Sequence, residues 1–202
     1  MSAQPAAAGA GIVEHEQHRG VPTALLGMIL FISSEVMFFG GFFGAYFDIR
    51  AGQRFWPPET PHIPELETWP IAVILTVLLV TSSFTAHAGL LSIKRGDRRG
   101  LLRWLVVTLT LGFSFLALQL FDYAELGFGL RDGIFATLFY TMTGFHFAHV
   151  FGGGLFLYLV MLQAYRGEFS PDEHTGVEAA TIYWHFVDVV WIGLFTTYYI
   201  LK

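Results

Sequence analysis

The chain has 202 residues, 54% of them hydrophobic, 17% aromatic and only 13% charged, with a formal net charge of −5. A water-soluble domain carries about a quarter charged residues, so this composition belongs in a membrane, and the lack of a basic block argues against a nucleic-acid partner. With no cysteine, disulfides, thiolate-bound iron and copper sites built on Cys sulfur are excluded.

Residues 1–20 form a polar tail holding Glu14 and Glu16; it lacks the apolar stretch and cleavage site of a signal peptide. Residues 21–202 read as one membrane domain. Five stretches, about 22–47, 70–93, 101–121, 133–165 and 177–201, are long and apolar enough to cross a bilayer core about 30 Å thick, which takes roughly 20 helical residues. Pro22 suits the first turn of a helix, where its missing N–H costs nothing. The fourth stretch exceeds one crossing and is expected to tilt or project into water. The expected fold is therefore all-α, a polytopic bundle of five transmembrane helices.

Between the first two spans, residues 48–68 contain Trp56, Pro57, Pro58, Pro61 and Pro64 with three glutamates. This reads as an ordered, extended segment that caps the bundle or touches a partner. Lys and Arg in alternate loops set orientation. One side receives Arg19, Lys94, Arg95, Arg98, Arg99, Arg103 and Arg166; the other receives Arg50, Arg54, Arg131 and Lys202. Seven against four places the N-terminus in the cytoplasm and the C-terminus outside.

Ionisable residues inside the spans are the candidate site, since polar groups are costly in lipid and tend to mark function or pairing. Glu35 lies about 20 Å into the first span at 1.5 Å per residue, near mid-bilayer, and Asp188 reaches a similar depth in the fifth. His146 and His149 sit one turn apart on the fourth span, His185 lies one turn before Asp188, and His87 lies toward the inner end of the second. Gln119 and Asp122 close the outer end of the third as packing or surface polar groups. Desolvation disfavours a charged carboxylate at such depth, so Glu35 is expected to stay neutral or to exchange protons with a histidine. A hydrogen bond from Glu35 to His146 or His149 is the specific expectation.

Two other readings remain open from the residues alone. The four histidines can hold helices together, as buried imidazoles commonly do, or can ligate iron or copper. Gly40-x-x-x-Gly44 and Gly152-Gly153-Gly154 favour packing, since small residues let helices approach closely in lipid. No phosphate loop, nucleophile constellation or nucleotide fingerprint is present, and the spans lack the broken helices of many transporters.

Several blocks occur in one order: Phe31-Ile-Ser-Ser-Glu35-Val-Met-Phe-Phe39, Trp56-Pro57-Pro58, Arg95-Gly96-Asp97-Arg98 and Leu118-Gln119 with Asp122-Tyr123. Next come Thr143-Gly144-Phe145-His146 with His149-Val150, and finally Tyr183-Trp184-His185-Phe186-Val187-Asp188-Val189-Val190-Trp191. Together they resemble subunit III of the haem–copper oxidases, in particular of cytochrome c oxidases, from about Gly20 to the end. The resemblance implies an all-helical accessory subunit of a proton-translocating terminal oxidase, with no redox centre or metal site of its own and no catalytic residue. Its partners would be a catalytic subunit I, holding haems and copper, and a copper-bearing subunit II, in a bacterial cell membrane. It also implies support of proton uptake, protection of the catalytic subunit during turnover, and bound phospholipid.

Glu35 occupies the position of the family's buried glutamate, and His146, His149 and His185 also match. Glu35, His146, His149, His185 and Asp188 are accordingly expected to form a proton-linked or buried polar network. The long form of the family has seven helices, and this chain reads as starting at the third, so the lipid cleft beside the first two is not carried over. The five-helix form also occurs in quinol oxidases and in an accessory protein of nitric oxide reductase. The glutamate in Phe31–Phe39 favours the cytochrome c branch. A free-standing proton-coupled transporter using Glu35 and Asp188, and an intramembrane metalloenzyme, are the readings from other classes.

Overall fold

The structure, a computed structural model, describes residues 22–58 and 69–201. Among these residues the regular structure is entirely helical: α1 Thr23–Ala51, α2 Trp69–Lys94, α3 Arg98–Glu125, α4 Ile134–Arg166 and α5 Thr175–Phe195, the last continuing into a π-helical turn at Thr196–Ile200. All five helices are long and apolar enough to cross a membrane. The polar tail, Arg19, Pro61, Pro64 and Lys202 lie outside the described residues.

α3 outruns its apolar stretch because its N-terminus is capped in polar surroundings. Hydropathy places the third span at 101–121, whereas α3 begins at Arg98. Asp97 there accepts a hydrogen bond from the Gly100 amide at 2.8 Å, satisfying one donor of the first turn. The α2–α3 turn is closed by Gly96, whose φ of 79° is a left-handed conformation that favours glycine. Its amide reaches Ile93 O at 2.8 Å, and the Asp97 amide reaches Ser92 O at 2.9 Å, the paired closure typical of a helix C-terminus.

Successive helices run antiparallel. α2 and α3 pair along most of their length, α4 packs on α3, and α5 touches α1, α2 and α4. Burial follows this plan. α5 buries Tyr183, Trp184, Phe186, Val187, Asp188, Val190, Trp191 and Leu194, while α1 buries only Phe39 and Tyr46.

Glycine admits the tryptophan of α5. A Cβ at Gly112 of α3 would fall 2.8 Å from the Trp184 ring, and one at Gly153 of α4 would fall 2.9 Å from Tyr183 and 3.0 Å from Trp184. Trp184 is fully buried between these two backbones. The Gly40-x-x-x-Gly44 pair behaves otherwise: added Cβ atoms would meet nothing within 4 Å. The two glycines are therefore not points of close helix approach, and α1 instead seats Phe43 over Gly193, where a Cβ would come within 2.9 Å of the ring.

Polar ties close both ends. At one end Lys94 pairs with Glu178 at 2.6 Å, and the Arg98 guanidinium donates to Ala164 O at 2.6 Å and to Tyr165 O. At the other, Trp56 Nε1 donates to the Tyr46 hydroxyl at 2.8 Å, which donates to Thr197 O at 3.3 Å. The Trp56 end of the 48–68 segment therefore lies against the bundle; residues 59–68 are outside the described set.

Candidate functional site: an intramembrane glutamate–histidine pair

α1 carries Glu35 and α4 carries His149 to the same depth, and His149 Nε2 lies 3.0 Å from Glu35 Oε2. Each side chain is less than a fifth exposed. The other ring nitrogen, Nδ1, lies 2.7 Å from the carbonyl of Phe145 one turn back on α4. A carbonyl can only accept, so Nδ1 carries the hydrogen. A neutral His149 thus presents a bare Nε2, and the hydrogen bond to Glu35 holds one further proton. That proton sits either on the carboxyl, beside a neutral imidazole, or on Nε2, beside a carboxylate. The pair is neutral overall in both states, which is how a carboxylate is accommodated at a depth where an isolated charge costs a few kcal/mol.

Aromatic side chains wall the pair. The Phe39 and Phe38 rings lie 5.0 and 6.2 Å from the His149 ring, and Phe38 meets Phe145 at 5.2 Å. The Tyr183 hydroxyl reaches His149 O at 3.4 Å. α5 is thereby tied to the α4 backbone at this site.

His146 does not bond to Glu35. It is 1% exposed, stacked on Trp191 at 5.2 Å with Phe115 edge-on at 5.9 Å. Among the described residues its two ring nitrogens have no hydrogen-bond partner. His185 and Asp188 form a second locus, between α5 and α2. Ser83 Oγ lies 2.6 Å from His185 Nδ1, and the exposed His87 ring is 6.0 Å from that of His185. Asp188 is 5% exposed and Ser83 reaches toward it, yet among the described residues neither carboxyl oxygen has a hydrogen bond of ordinary geometry. Gln119 and Asp122 are buried, not surface groups, and Gln119 Nε2 donates to Asp122 Oδ2 at 3.4 Å.

The polar residues therefore fall into separate clusters. Among the described residues no three His, Cys, Asp or Glu side chains gather as a metal-binding group. The partners that sequence reasoning passed over are hydroxyls. Trp184 Nε1 donates to Ser82 Oγ at 2.9 Å, and Trp191 Nε1 donates to Thr76 Oγ1 at 3.0 Å. The signal was a run of Thr and Ser on one side of an otherwise apolar α2, opposite tryptophans two turns apart on α5.

A family model described as cytochrome c oxidase subunit III matches residues 11–202. Cytochrome c oxidase subunit 3 of Thermostichus vulcanus is 43% identical over 194 residues, covering 96% of this chain and 94% of that protein. The Synechocystis protein of the same name is 41% identical over 190 residues, with 93% and 80% covered. That of Corynebacterium diphtheriae is 39% identical over 183 residues, with 88% and 87% covered. On matching of this extent, the chain belongs to the cytochrome c oxidase subunit III family.

Proposed function

We propose that this chain is the accessory subunit of a haem–copper terminal oxidase that reduces oxygen to water, and that its Glu35–His149 pair serves proton supply. The chain carries no catalytic residue in this reading; haems and copper belong to subunits I and II beside it in a bacterial cell membrane. The N-terminus and the basic α2–α3 turn face the cytoplasm. Bound phospholipid contributes to the complex. The observation that carries the proton role is the geometry at His149. With Nδ1 committed to Phe145 O, the single proton shared with Glu35 can change sides without creating net charge, which gives a proton a neutral resting place between α1 and α4.

The test is purification of the complex in mild detergent with wild-type and Glu35→Gln chains. Gln keeps the shape and a donor to Nε2 but removes the exchangeable acid. Haem and copper content and the haem spectrum are expected to be unchanged, while proton uptake during turnover slows. Loss of haem or copper from the Glu35→Gln complex would sink the proton-supply reading. The quinol-oxidase and nitric-oxide-reductase alternatives predict different co-purifying subunits, without a Cys-bearing copper domain in the quinol case and with a nitric-oxide-reducing partner in the other. The relatives' names favour the cytochrome c branch.

A further inference from the structure

A second pair of imidazoles meets away from the Glu35–His149 site. His87 of α2 and His185 of α5 have ring centroids 6.0 Å apart. His87 precedes Lys94 and His185 follows Glu178 by the same seven residues (87 to 94, 178 to 185), and Lys94 and Glu178 are ion-paired. Each ring therefore lies about 10 Å along its helix from that pair, at 1.5 Å per residue. The headgroup zone accounts for about 5–7 Å of that distance. Both rings thus sit at the edge of the hydrocarbon core, on the side of the basic α2–α3 turn.

His87 is exposed between Phe84 and Leu91, which are exposed too. Among the described residues its ring makes no hydrogen bond or ion pair, and a polar ring on such a face is costly in lipid. His185 is half-buried, and its bonding is set from the inside. Asp188 as a carboxylate can only accept, so the Ser83 hydroxyl hydrogen turns toward it. Ser83 Oγ then accepts from His185 Nδ1–H at 2.6 Å, which leaves Nε2 with a bare lone pair. A metal-binding histidine is commonly held in this way, its second ring nitrogen donating to an outer group that fixes the tautomer and raises ligand basicity. Zinc bonded at about 2.0–2.1 Å to one nitrogen of each ring puts the ring centres about 5–6 Å apart, close to the observed separation. Asp188, buried behind Ser83, supplies a negative charge that lowers the cost of a dication here.

We propose that His87 and His185 form an exchangeable site for a divalent transition cation of the zinc class, which clamps α2 to α5. Among the described residues no third His, Cys, Asp or Glu ligand joins them, so water completes the coordination. The ion is then labile, as at open zinc sites rather than closed structural ones. Imidazole ligands select zinc, copper or nickel over calcium and magnesium. The inference is independent of the oxidase reading and uses no group of the Glu35–His149 pair.

The test uses the full-length chain with whatever subunits accompany it. Loosely held zinc is stripped with a weak chelator, the particles are dialysed against Zn²⁺, and bound zinc is counted by mass spectrometry. The wild type is expected to hold one zinc ion more than His87→Gln, a change at an exposed position that leaves the packing intact. His185→Gln should lose the same ion, and Ser83→Ala should weaken its binding about 10–100-fold, as loss of an outer partner does. His87→Cys should keep the ion. Because the chain has no cysteine of its own, zinc should also shield that single thiol from a maleimide, read as the intact mass of this chain. Equal zinc counts in the wild type and His87→Gln would overturn the proposal. So would retention of the ion by His185→Gln, a thiol that zinc leaves unshielded, or a photoreactive group at position 87 that captures a partner's helix. Loss of the ion from His174→Gln instead, whose imidazole lies 3.4 Å from Glu178, would also overturn it.

Discussion

The hydrogen that Phe145 O holds on Nδ1 of His149 fixes what Glu35 can do, because it leaves Nε2 as the only place where a second proton can move. Removing either partner has unequal consequences. His149→Leu leaves a carboxyl among apolar groups with no partner, whereas Glu35→Leu leaves an imidazole still bonded to Phe145 O. The first should therefore be the more destabilising, by about 1–3 kcal/mol for an orphaned polar group, read as a fall in melting temperature of the purified protein. The Glu35→Leu/His149→Leu pair should recover most of that loss, with a coupling of about 1 kcal/mol in the double-mutant cycle. A cycle with no coupling would show that the two side chains do not depend on one another. The pair was legible in the sequence only up to a choice. Depth put Glu35 level with both His146 and His149, but not which one turned toward α1. That followed from packing: His146 is claimed by the Trp191 and Phe115 rings, leaving His149 to face Glu35.

At the scale of the helix, α5 is held by what α3 and α4 lack. Gly112→Ala should push a methyl carbon to 2.8 Å from the Trp184 ring and cost about 1–3 kcal/mol, the usual range for overpacking. Because the clash is with the six-membered part of the indole, Trp184→Phe should partly rescue Gly112→Ala although it is destabilising alone. Thermal melts of the two single variants and the double variant check this, and simple additivity would count against a direct Gly112–Trp184 contact. Trp191→Phe, which removes the bond to Thr76 Oγ1, should cost about 1 kcal/mol by the same assay. The existence of each helix was plain from hydropathy, because twenty apolar residues leave few alternatives. Neighbour relations were not. Gly40-x-x-x-Gly44 has the spacing of a packing motif yet faces open space, whereas Gly193, with no motif around it, receives Phe43. Spacing identifies a smooth helix face, and only the partner's side chains decide whether it is used.

Across the whole molecule, basic residues collect where α2, α3 and α4 meet, at Lys94, Arg95, Arg98, Arg99, Arg103 and Arg166. The cysteine-free sequence makes the proposed orientation easy to check. A single Arg95→Cys should be shielded from a membrane-impermeant maleimide in intact cells, and Arg131→Cys should be labelled. The reverse pattern would invert the assignment. Burial is also uneven at this scale. α2, α3, α4 and α5 close on one another, and α1 is attached through Phe39, Phe43, Tyr46 and the Glu35–His149 bond. It is the helix expected to loosen first, since local opening follows the thinnest packing.

That attachment has a consequence in time. Glu35 and His149 are 114 residues apart, and the Tyr46 hydroxyl waits 151 residues for Thr197. At about 5–20 residues per second of synthesis, Glu35 is made roughly 6–23 s before the imidazole that will receive its carboxyl. During that interval the carboxyl in the middle of the first helix waits for its imidazole. The last helices to leave the ribosome are thus the ones that fasten the first.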